Sequence, residues 1–367
     1  MPNYTSRTWA ELDLAALRRN YASLRNILGG TRMMCAVKAN AYGHGAVAVA
    51  RCLAACGADS FAVATPEEAF ELRDGGVTLP ILVLGASVPA YVSELIARDI
   101  TQCVPSLDHA LAYSEAAAGG TLRVHAKVDT GMGRLGFLSA LDLARAMALP
   151  ALDFEGVFTH FAVADEVLGA EYTRRQFDAF TAFVETAERS SDKRFRIRHC
   201  SNSAAAIANP EFRLDLTREG LALYGYAPIQ SAVPLDLRPV MSLKTRVAQV
   251  KSVRAGDKIS YGGTWTAKRD GTVAVLPVGY GDGLHRILSN KLQVLINGQL
   301  AQQIGTICMD MCMVDITDVP NVRVGDVVTV FGQSPALTAA DVAALCGTIS
   351  YEMLCAPSAR VPRIYIE

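Results

Sequence analysis

The segment Met-Met-Cys-Ala-Val-Lys-Ala-Asn-Ala-Tyr-Gly-His-Gly at positions 33–45 joins a short apolar run to a glycine-rich turn. This pattern predicts a buried β-strand that ends at or near Lys38. Parallel α/β folds gather their chemistry at the carboxyl ends of their strands, which is where the Lys38 amine would lie. A lysine whose pKa is lowered by burial or by a neighbouring cation can form a Schiff base with a carbonyl. Most lysines are solvated surface charges, so this segment alone leaves both roles open.

The alternation of apolar runs with amphipathic stretches continues from residue 32 to about 220. About eight strand–helix units fit a closed (β/α)8 barrel better than an open sheet, although an open doubly wound sheet remains the alternative. The predicted helices include 66–74, 106–117 and about 169–188. The predicted strands are 33–37, 60–64, 81–84, 101–104, 122–128, 154–159, 195–199 and a weak 212–216.

After about residue 230 the pattern changes to short strands separated by turn signals, as expected for a mostly β domain. Asn297-Gly298 predicts a hairpin turn, and a single helix is predicted around 338–346. The predicted strands are 243–253, 272–278, 292–296, 307–316 and 327–331. Because 367 residues exceed the usual size of a single core, we expect a barrel domain at 1–230 and a mostly β domain at 231–367. The linker is placed at 228–239, and the extreme N-terminal segment is a candidate to pack on the second domain.

Composition excludes several classes of partner. A formal net charge of −1 gives no long-range attraction to nucleic acid or to anionic membranes. No apolar stretch reaches the roughly 18 residues of a membrane span, and no signal peptide is recognisable. Nine cysteines without a disulfide framework favour a reducing compartment, the cytoplasm. No metal site is predicted, and the histidines without ligand spacing are expected to be surface or structural residues: His44, His109, His125 and His285.

Two turns suggest a seat for an anion. Ser-Asn-Ser-Ala-Ala-Ala at 201–206 follows one predicted strand, and Arg-Glu-Gly-Leu at 218–221 follows the next. Phosphate sites of (β/α)8 barrels often form from the loops after the last two strands. Together with a reactive lysine after the first strand, these turns suggest a phosphorylated cofactor that carries a carbonyl, which describes pyridoxal 5'-phosphate.

The chain resembles the alanine racemases over nearly its full length. Eight segments in family order carry the resemblance: 36–45 (Ala-Val-Lys-Ala-Asn-Ala-Tyr-Gly-His-Gly), 127–136 (Lys-Val-Asp-Thr-Gly-Met-Gly-Arg-Leu-Gly), 159–162 (Thr-His-Phe-Ala), 202–204 (Asn-Ser-Ala), 260–264 (Ser-Tyr-Gly-Gly-Thr), 278–283 (Val-Gly-Tyr-Gly-Asp-Gly), 308–310 (Cys-Met-Asp) and 351–352 (Tyr-Glu).

The resemblance implies an isomerase that interconverts L-alanine and D-alanine, for peptidoglycan precursors or for catabolism. Lys38 would hold pyridoxal phosphate as an aldimine and then serve as the base on one face of Cα. Tyr261 would serve on the opposite face, from the second domain of the partner subunit of a homodimer with shared active sites. Inversion itself requires two groups, since a proton leaves one face of Cα and returns to the other.

The resemblance also implies roles for further residues. Arg218 would face the pyridine nitrogen and, because arginine keeps its proton, leave that nitrogen unprotonated. His160 and Arg218 would support a Tyr261 phenolate. Arg134 and the backbone N–H of Met309 would bind the substrate carboxylate, and Lys127 could carry a carbamate that holds Arg134. The remaining implied residues are Tyr42, Asn202, Ser203, Gly220, Leu221 and Tyr351 around the cofactor, and Tyr280 and Asp310 at the entrance.

Three positions depart from the family pattern: Glu219 stands where a proline is common, and Thr306 and Met311 stand where many relatives have arginine and glutamine. These leave open a serine or broad-specificity racemase with the same catalytic residues. A related-fold decarboxylase would place a cysteine acid, not a tyrosine, against Cα. A non-catalytic pyridoxal-phosphate carrier would have the barrel alone, whereas this chain continues for about 135 residues with Tyr261 and Tyr351.

Overall fold

The computed structural model describes residues 6–227, 235–334 and 337–367, so part of the predicted linker lies outside the described residues. The chain forms two compact units. The barrel unit contains Arg18–Ala41 and the described part of Ala46–Leu237. The β-rich unit contains the described parts of Met1–Leu17 and Arg238–Glu367, together with Tyr42–Gly45. Each unit is taken in turn.

Eight parallel strands form the sheet of the barrel unit. The first strand of the chain, β1 (Thr8–Asp13), lies in the other unit, so this sheet comprises β2 (Arg32–Ala36), β3 (Ser60–Val63), β4 (Ile81–Val83), β5 (Thr101–Val104), β6 (Leu122–Lys127), β7 (Leu152–Phe158), β8 (Ile197–His199) and β9 (Leu216–Glu219). Their order runs from β8 down to β2 and then to β9. An Asn202–Arg218 bridge joins the two outer edges. The nearly closed sheet confirms the (β/α)8 prediction and excludes the open doubly wound alternative.

Helices separate these strands along the chain, and local capping explains where several begin. Pro66–Asp74 starts after Thr65, whose hydroxyl accepts from the backbone N–H of Glu68, and Leu107–Ala116 starts after Ser106 in the same way. The other right-handed helices of four or more residues between the described strands of this part of the chain are Leu14–Leu28, Ala46–Ala55, Val92–Ala97, Ala140–Met147, Ala170–Ser191, Ser203–Ala208 and the 3-10 turns Pro210–Arg213 and Leu221–Tyr224, and Lys38–Tyr42 forms a left-handed turn.

Alternation along β9 decides which of its side chains enter the barrel. Leu216 packs with apolar residues of three neighbouring strands, Met34, Ala62 and Leu82. Because successive side chains point to opposite faces, Arg218 shares the inner face with Leu216, and Thr217 and Glu219 point to the outer one. The predicted strand at 212–216 is therefore misplaced. Pro210–Arg213 is a 3-10 turn, and the true strand carries two charged residues that hydrophobicity could not reveal.

The β-rich unit contains a nine-stranded sheet in the order β11-β14-β17-β16-β15-β18-β10-β1-β19. Its Asn297-Gly298 hairpin is confirmed, because Ile296 pairs with Gln299 and both turn residues have positive φ. The sequence missed β1, which pairs with β10 and β19, and the helix Ser350–Cys355 that follows Ala339–Cys346. The strands not yet given are β10 (Met241–Arg246), β11 (Gln249–Val253), β12 (Lys258–Ile259), β13 (Trp265–Thr266), β14 (Gly271–Leu276), β15 (Gln293–Ile296), β16 (Gln299–Ile304), β17 (Cys312–Asp315), β18 (Val327–Phe331) and β19 (Arg363–Ile366), of which β12 and β13 form a separate pair.

The outward-facing Glu219 should lower the stability of the folded protein. It is fully buried, and neither carboxyl oxygen has a hydrogen-bond partner among the described residues. Burial raises its pKa more than nearby hydroxyls and cations lower it. The folded state therefore retains a proton that the unfolded chain loses above about pH 4.3. Glu219 thus destabilises the fold progressively as the pH rises from the unfolded pKa to the raised pKa of the folded state. Glu219→Met should raise the free energy of unfolding by about 1–3 kcal/mol, more at pH 8 than at pH 5.

Urea titrations at pH 5 and pH 8 measure this effect. Glu219→Gln is the matched control, because it keeps a polar group of the same shape but cannot titrate. A Met variant that is less stable than the wild type at both pH values would contradict the prediction.

Candidate active site

A left-handed turn follows Lys38 at the carboxyl end of β2. Ala39, Asn40 and Ala41 have φ of 51–54° and ψ of 46–51°, and Tyr42 continues with φ 52°. This conformation costs L-residues roughly 1–2 kcal/mol each, so it persists only where the surroundings hold it in place. Lys38 itself is half-buried. Backbone strain therefore occurs in the same segment, residues 33–45, in which the sequence predicted a reactive lysine.

Side-chain acceptors stabilise this turn. The Glu68 carboxylate accepts from the backbone N–H of Ala39 at 2.6 Å and from that of Ala64 at 2.7 Å. Asn40 Oδ1 accepts from the Ala46 N–H at 2.8 Å. Glu68 thus ties the end of β2 to the end of β3. Sequence analysis missed its role, since Glu68 reads as an ordinary acidic residue in the first turn of a helix.

Arg218 lies buried inside the barrel unit with only 6% of its surface exposed. Its guanidinium donates to the carbonyls of Thr159 and Cys200 at 2.8 and 2.9 Å. It also donates to Nδ1 of His199 at 2.9 Å and to Nδ1 of His160 at 3.2 Å. Burial lowers its pKa to about 10, which still leaves it charged at neutral pH.

Lys127 and His160 lie near this arginine. The Lys127 amine is buried, donates to the Val128 carbonyl at 2.7 Å and lies 5.7 Å from the Phe158 ring centroid. Burial and then the charge of Arg218 lower its pKa to about 8. His160 has its pKa lowered well below the usual value by burial and then by the charges of Arg218, Arg134, Lys38 and Lys127.

Arg218 and Lys127 make one cationic region inside the barrel unit, with His160 beside Arg218. Among the described residues, no carboxylate forms an ion pair with Arg218 or with Lys127. Uncompensated buried cations are costly, so the region is suited to an anionic ligand.

The two predicted anion-binding turns lie side by side at the ends of β8 and β9. Buried Ser203 accepts the backbone N–H of Gly220 through its hydroxyl at 3.0 Å, and Leu221 follows Gly220 in a buried 3-10 turn. The Asn202 side chain caps the helix Ser203–Ala208 by accepting from the Ala205 N–H at 3.0 Å. The Asn202 oxygen therefore has a structural function, and its contact with a cofactor stays a prediction.

The loop that carries Arg134 is organised by Asp129. Its carboxylate accepts from the backbone N–H groups of Gly131, Gly133 and Arg134 at 3.0–3.2 Å. Partial burial works against ionisation, but the N–H groups of Gly131 and Gly133 and the charge of Lys127 hold the pKa of Asp129 below its usual value. The Arg134 side chain itself is exposed. An aspartate followed by two closely spaced glycines is a turn signal, and it could have identified Asp129 in the sequence.

The predicted tyrosines lie in the β-rich unit. Tyr42 and Tyr351 contact each other, with ring centroids 5.7 Å apart, and burial raises the pKa of Tyr42. Tyr261 is 72% exposed. It follows Ser260, whose φ is 65°. The Thr306 hydroxyl donates to the Tyr261 carbonyl at 2.8 Å, so a position that departs from the family pattern supports this turn.

The loops of Tyr280 and Met309 are joined by backbone hydrogen bonds. The Tyr280 N–H donates to the Cys308 carbonyl at 3.1 Å, and the Gly281 N–H donates to the Met309 carbonyl at 2.9 Å. A Cβ on Gly279 would come within 2.3 Å of the Cys308 carbonyl oxygen, so only glycine allows this approach. Asp310 pairs with Arg360 at 2.9 Å. Each unit thus assembles its own share of the predicted site residues.

Comparison with known proteins decides the family. The model of the alanine racemase N-terminal domain matches residues 12–228, and that of the C-terminal domain matches residues 240–365. The chain belongs to the alanine racemase family.

Curated alanine racemases align with it end to end. That of Desulfovibrio desulfuricans is 44% identical over 374 residues, covering all of both chains. That of Methanococcus maripaludis is 44% identical and covers 98% of each. Among solved structures, alanine racemase of Clostridium difficile 630 has a TM-score of 0.94 at 40% identity, covering 100% of this chain and 97% of that one. The Bacillus anthracis enzyme with bound L-Ala-P has a TM-score of 0.92 at 34% identity, covering 100% and 96%.

These matches do not favour the other functions considered. The C-terminal match makes a barrel-only carrier a poor description of this racemase family member, and the named relatives are alanine racemases. Within the described residues, no helix is long and apolar enough to cross a membrane. The same residues include no group of three His, Cys, Asp or Glu side chains able to hold a metal ion.

The contacts of Glu68 should affect both stability and cofactor binding. Glu68→Ala removes the acceptor of two backbone N–H groups, one of them in the left-handed turn. Leaving them unpaired should lower the free energy of unfolding by about 1–3 kcal/mol and weaken retention of the cofactor. Denaturant unfolding and dialysis against cofactor-free buffer measure the two effects. Glu71→Ala, an exposed position on the same helix, is the control, and equal behaviour of both variants would refute the role of Glu68.

Proposed function

We propose that this chain interconverts L-alanine and D-alanine. The observation that carries the proposal is the cationic region formed by Lys127 and Arg218 beside His160, in the barrel unit that carries Lys38. The chain also aligns end to end with alanine racemases. Alanine racemases use pyridoxal phosphate, and the side chains present fit it. An amine on a strained turn can take its aldehyde, buried cations suit its anionic groups, and Ser203 with Gly220 and Leu221 suits its phosphate.

When bound, the cofactor would supply an electron sink for the carbanion at the substrate Cα. Lys38 would hold it covalently. Contacts around it would come from Tyr42, His160, Asn202, Ser203, Arg218, Gly220, Leu221 and Tyr351. Arg218 can only donate hydrogen bonds, so it would leave an opposing ring nitrogen unprotonated.

Two groups would move the proton at Cα. The Lys38 amine would take it from one face and the Tyr261 phenolate from the other. A phenol with a pKa near 10 is a weak base at neutral pH, so its phenolate needs support. Because Arg218 donates to Nδ1 of His160, that nitrogen accepts and His160 carries its proton on Nε2. A neutral histidine beside a cation can then donate to the phenolate oxygen, which favours the charged form.

Substrate orientation would come from Arg134 and from the Met309 N–H, each binding the carboxylate, with Tyr280 and Asp310 at the entrance. Lys127 is suited to carbamylation. With a pKa of about 8, an appreciable fraction of its amine is neutral at physiological pH and can attack carbon dioxide. The product anion would offset the surrounding cations and hold Arg134.

We also propose a homodimer in which Tyr261 completes the site of the partner subunit. Tyr261, Tyr280, Met309 and Met311 are each between 44% and 72% exposed. A cluster of exposed large apolar side chains is typical of a protein–protein contact. All nine cysteines lie in the described residues and none forms a disulfide, which supports a cytoplasmic location.

The covalent role of Lys38 has a direct test. Borohydride reduction of the loaded enzyme, followed by peptide mapping, should place a pyridoxyl label on Lys38, and Lys38→Ala should abolish racemisation of both enantiomers. A label on another lysine would overturn the assignment.

The role of Tyr261 is tested by proton exchange. Tyr261→Phe removes the base on one face only. The Lys38 amine should still exchange the α-proton of D-alanine with deuterium from solvent, whereas exchange of L-alanine should fall by about 10²–10⁴-fold. Nuclear magnetic resonance follows both rates. Equal loss for both enantiomers would mean that Tyr261 is not specific to one face.

Shared sites predict complementation between defective chains. Mixing Lys38→Ala with Tyr261→Ala subunits should restore part of the activity, because a heterodimer of shared sites would contain one intact site. Subunit exchange is verified independently with differently tagged chains. Proven exchange without recovered activity would place the whole site within a single chain.

A further inference from the structure

A line of polar side chains leads away from Arg218 across the barrel interior. NH1 of Arg218 lies 2.9 Å from Nδ1 of His199. Nε2 of His199 lies 2.8 Å from Nδ1 of His125, and Nε2 of His125 lies 3.5 Å from the Glu155 carboxylate. Both histidines are buried, whereas Glu155 is 17% exposed. The line therefore connects the centre of the site with the edge of the barrel at β7.

The chemistry of arginine fixes the direction of every link. A guanidinium has donors only, so Nδ1 of His199 must accept. His199 then carries its proton on Nε2 and donates it to His125. Nδ1 of His125 accepts in turn, which leaves its proton on Nε2, facing the carboxylate of Glu155. Both rings are thus neutral and both are Nε2–H tautomers.

Electrostatics agrees with this assignment. Burial, followed by neighbouring positive charges, lowers the pKa of His199 well below its usual value. Burial also lowers the pKa of His125 despite the adjacent carboxylate. The contact with His125 is the main reason that the pKa of Glu155 falls to about 2. An extra proton on either ring would place two hydrogen-bond donors opposite each other. The hydrogen bonds therefore all run from Arg218 toward Glu155.

Packing holds the rings in place. The Phe158 ring stacks on His199 with centroids 4.9 Å apart and planes 13° apart, and it lies 5.4 Å from the Arg218 guanidinium carbon. On the outside, Glu155 meets Arg196 at 3.4 Å and the Thr101 hydroxyl at 3.4 Å. Arg196 also binds Asp153, at 2.7 Å, so its charge is shared between the two carboxylates.

We propose that Glu155 is a positioning residue for the racemase reaction. Through the aligned dipoles of His125 and His199, its negative charge orients the Arg218 guanidinium and stabilises it without a carboxylate inside the site. A direct carboxylate partner would compete with the ligand for Arg218, whereas two neutral rings do not. The proposal rests on the role of Arg218 given above, but the tautomers can be tested without any assumption about catalysis.

The experiment is nuclear magnetic resonance of the loaded enzyme with ¹⁵N-labelled histidine, with peaks assigned by substituting each histidine in turn. Protonated and unprotonated imidazole nitrogens have well separated shifts. In the wild type, His125 and His199 should both be neutral Nε2–H tautomers between pH 6 and pH 9. In Glu155→Leu, Arg218 still fixes both tautomers, but the ¹⁵N shifts of the His125 and His199 rings should move because their dipoles lose the neighbouring carboxylate. The visible absorbance of the bound cofactor should shift, and kcat should fall about tenfold, as for outer partners of other catalytic groups, with little change in KM.

Two further variants make the test specific. Glu155→Gln keeps an oxygen acceptor and should retain the wild-type tautomers, and it serves if the Leu variant does not fold. Asp153→Leu removes the main partner of the same arginine from the same strand without touching His125, so it should leave tautomers and kcat unchanged. A proton on Nδ1 of either histidine in the wild type would overturn the proposal. Wild-type ¹⁵N shifts of both rings together with wild-type kcat in a folded Glu155→Leu protein would overturn it as well.

Discussion

A charged arginine buried in the barrel is the constraint on which the site depends. Arg218 cannot lose its proton, so its N–H groups must find acceptors within the protein or a ligand. It finds them on the Thr159 and Cys200 carbonyls and on two histidine rings. These acceptors end or follow β7 and β8. One guanidinium thereby fixes the spacing of three strand ends and forces both rings to stay neutral.

Lys38 is positioned by the left-handed turn that follows it. Its neighbours adopt a conformation that L-residues avoid, and Glu68 and Asn40 stabilise that turn by accepting backbone N–H groups. Among the described residues no carboxylate forms an ion pair with Arg218, and at Lys38 the Glu68 carboxylate supports the following turn through the backbone. This arrangement keeps the cationic region available to an anionic ligand.

The sequence predicted the barrel, most of its strands and the segments that contain the candidate site residues. It could do so because strand periodicity, caps and glycine turns are local signals. It could not predict the line from Glu155 to Arg218. Its members lie on four different strands, with up to 74 residues between hydrogen-bonded partners, and His125 lacks any ligand spacing. Hydrophobicity could not locate the strand Leu216–Glu219, because this strand buries an arginine and a glutamate. The pairing of β1 with β19 joins opposite ends of the chain, which no local pattern can indicate.

Arg218 is expected to remain a hydrogen-bond donor toward the ring nitrogen of the bound cofactor. The most direct test is ¹⁵N nuclear magnetic resonance of the enzyme loaded with pyridoxal phosphate labelled at its ring nitrogen. An unprotonated ring nitrogen that accepts a hydrogen bond, and that changes its shift in an Arg218→Lys variant, is the predicted result. A protonated ring nitrogen in the wild type, unaffected by that substitution, would contradict the account.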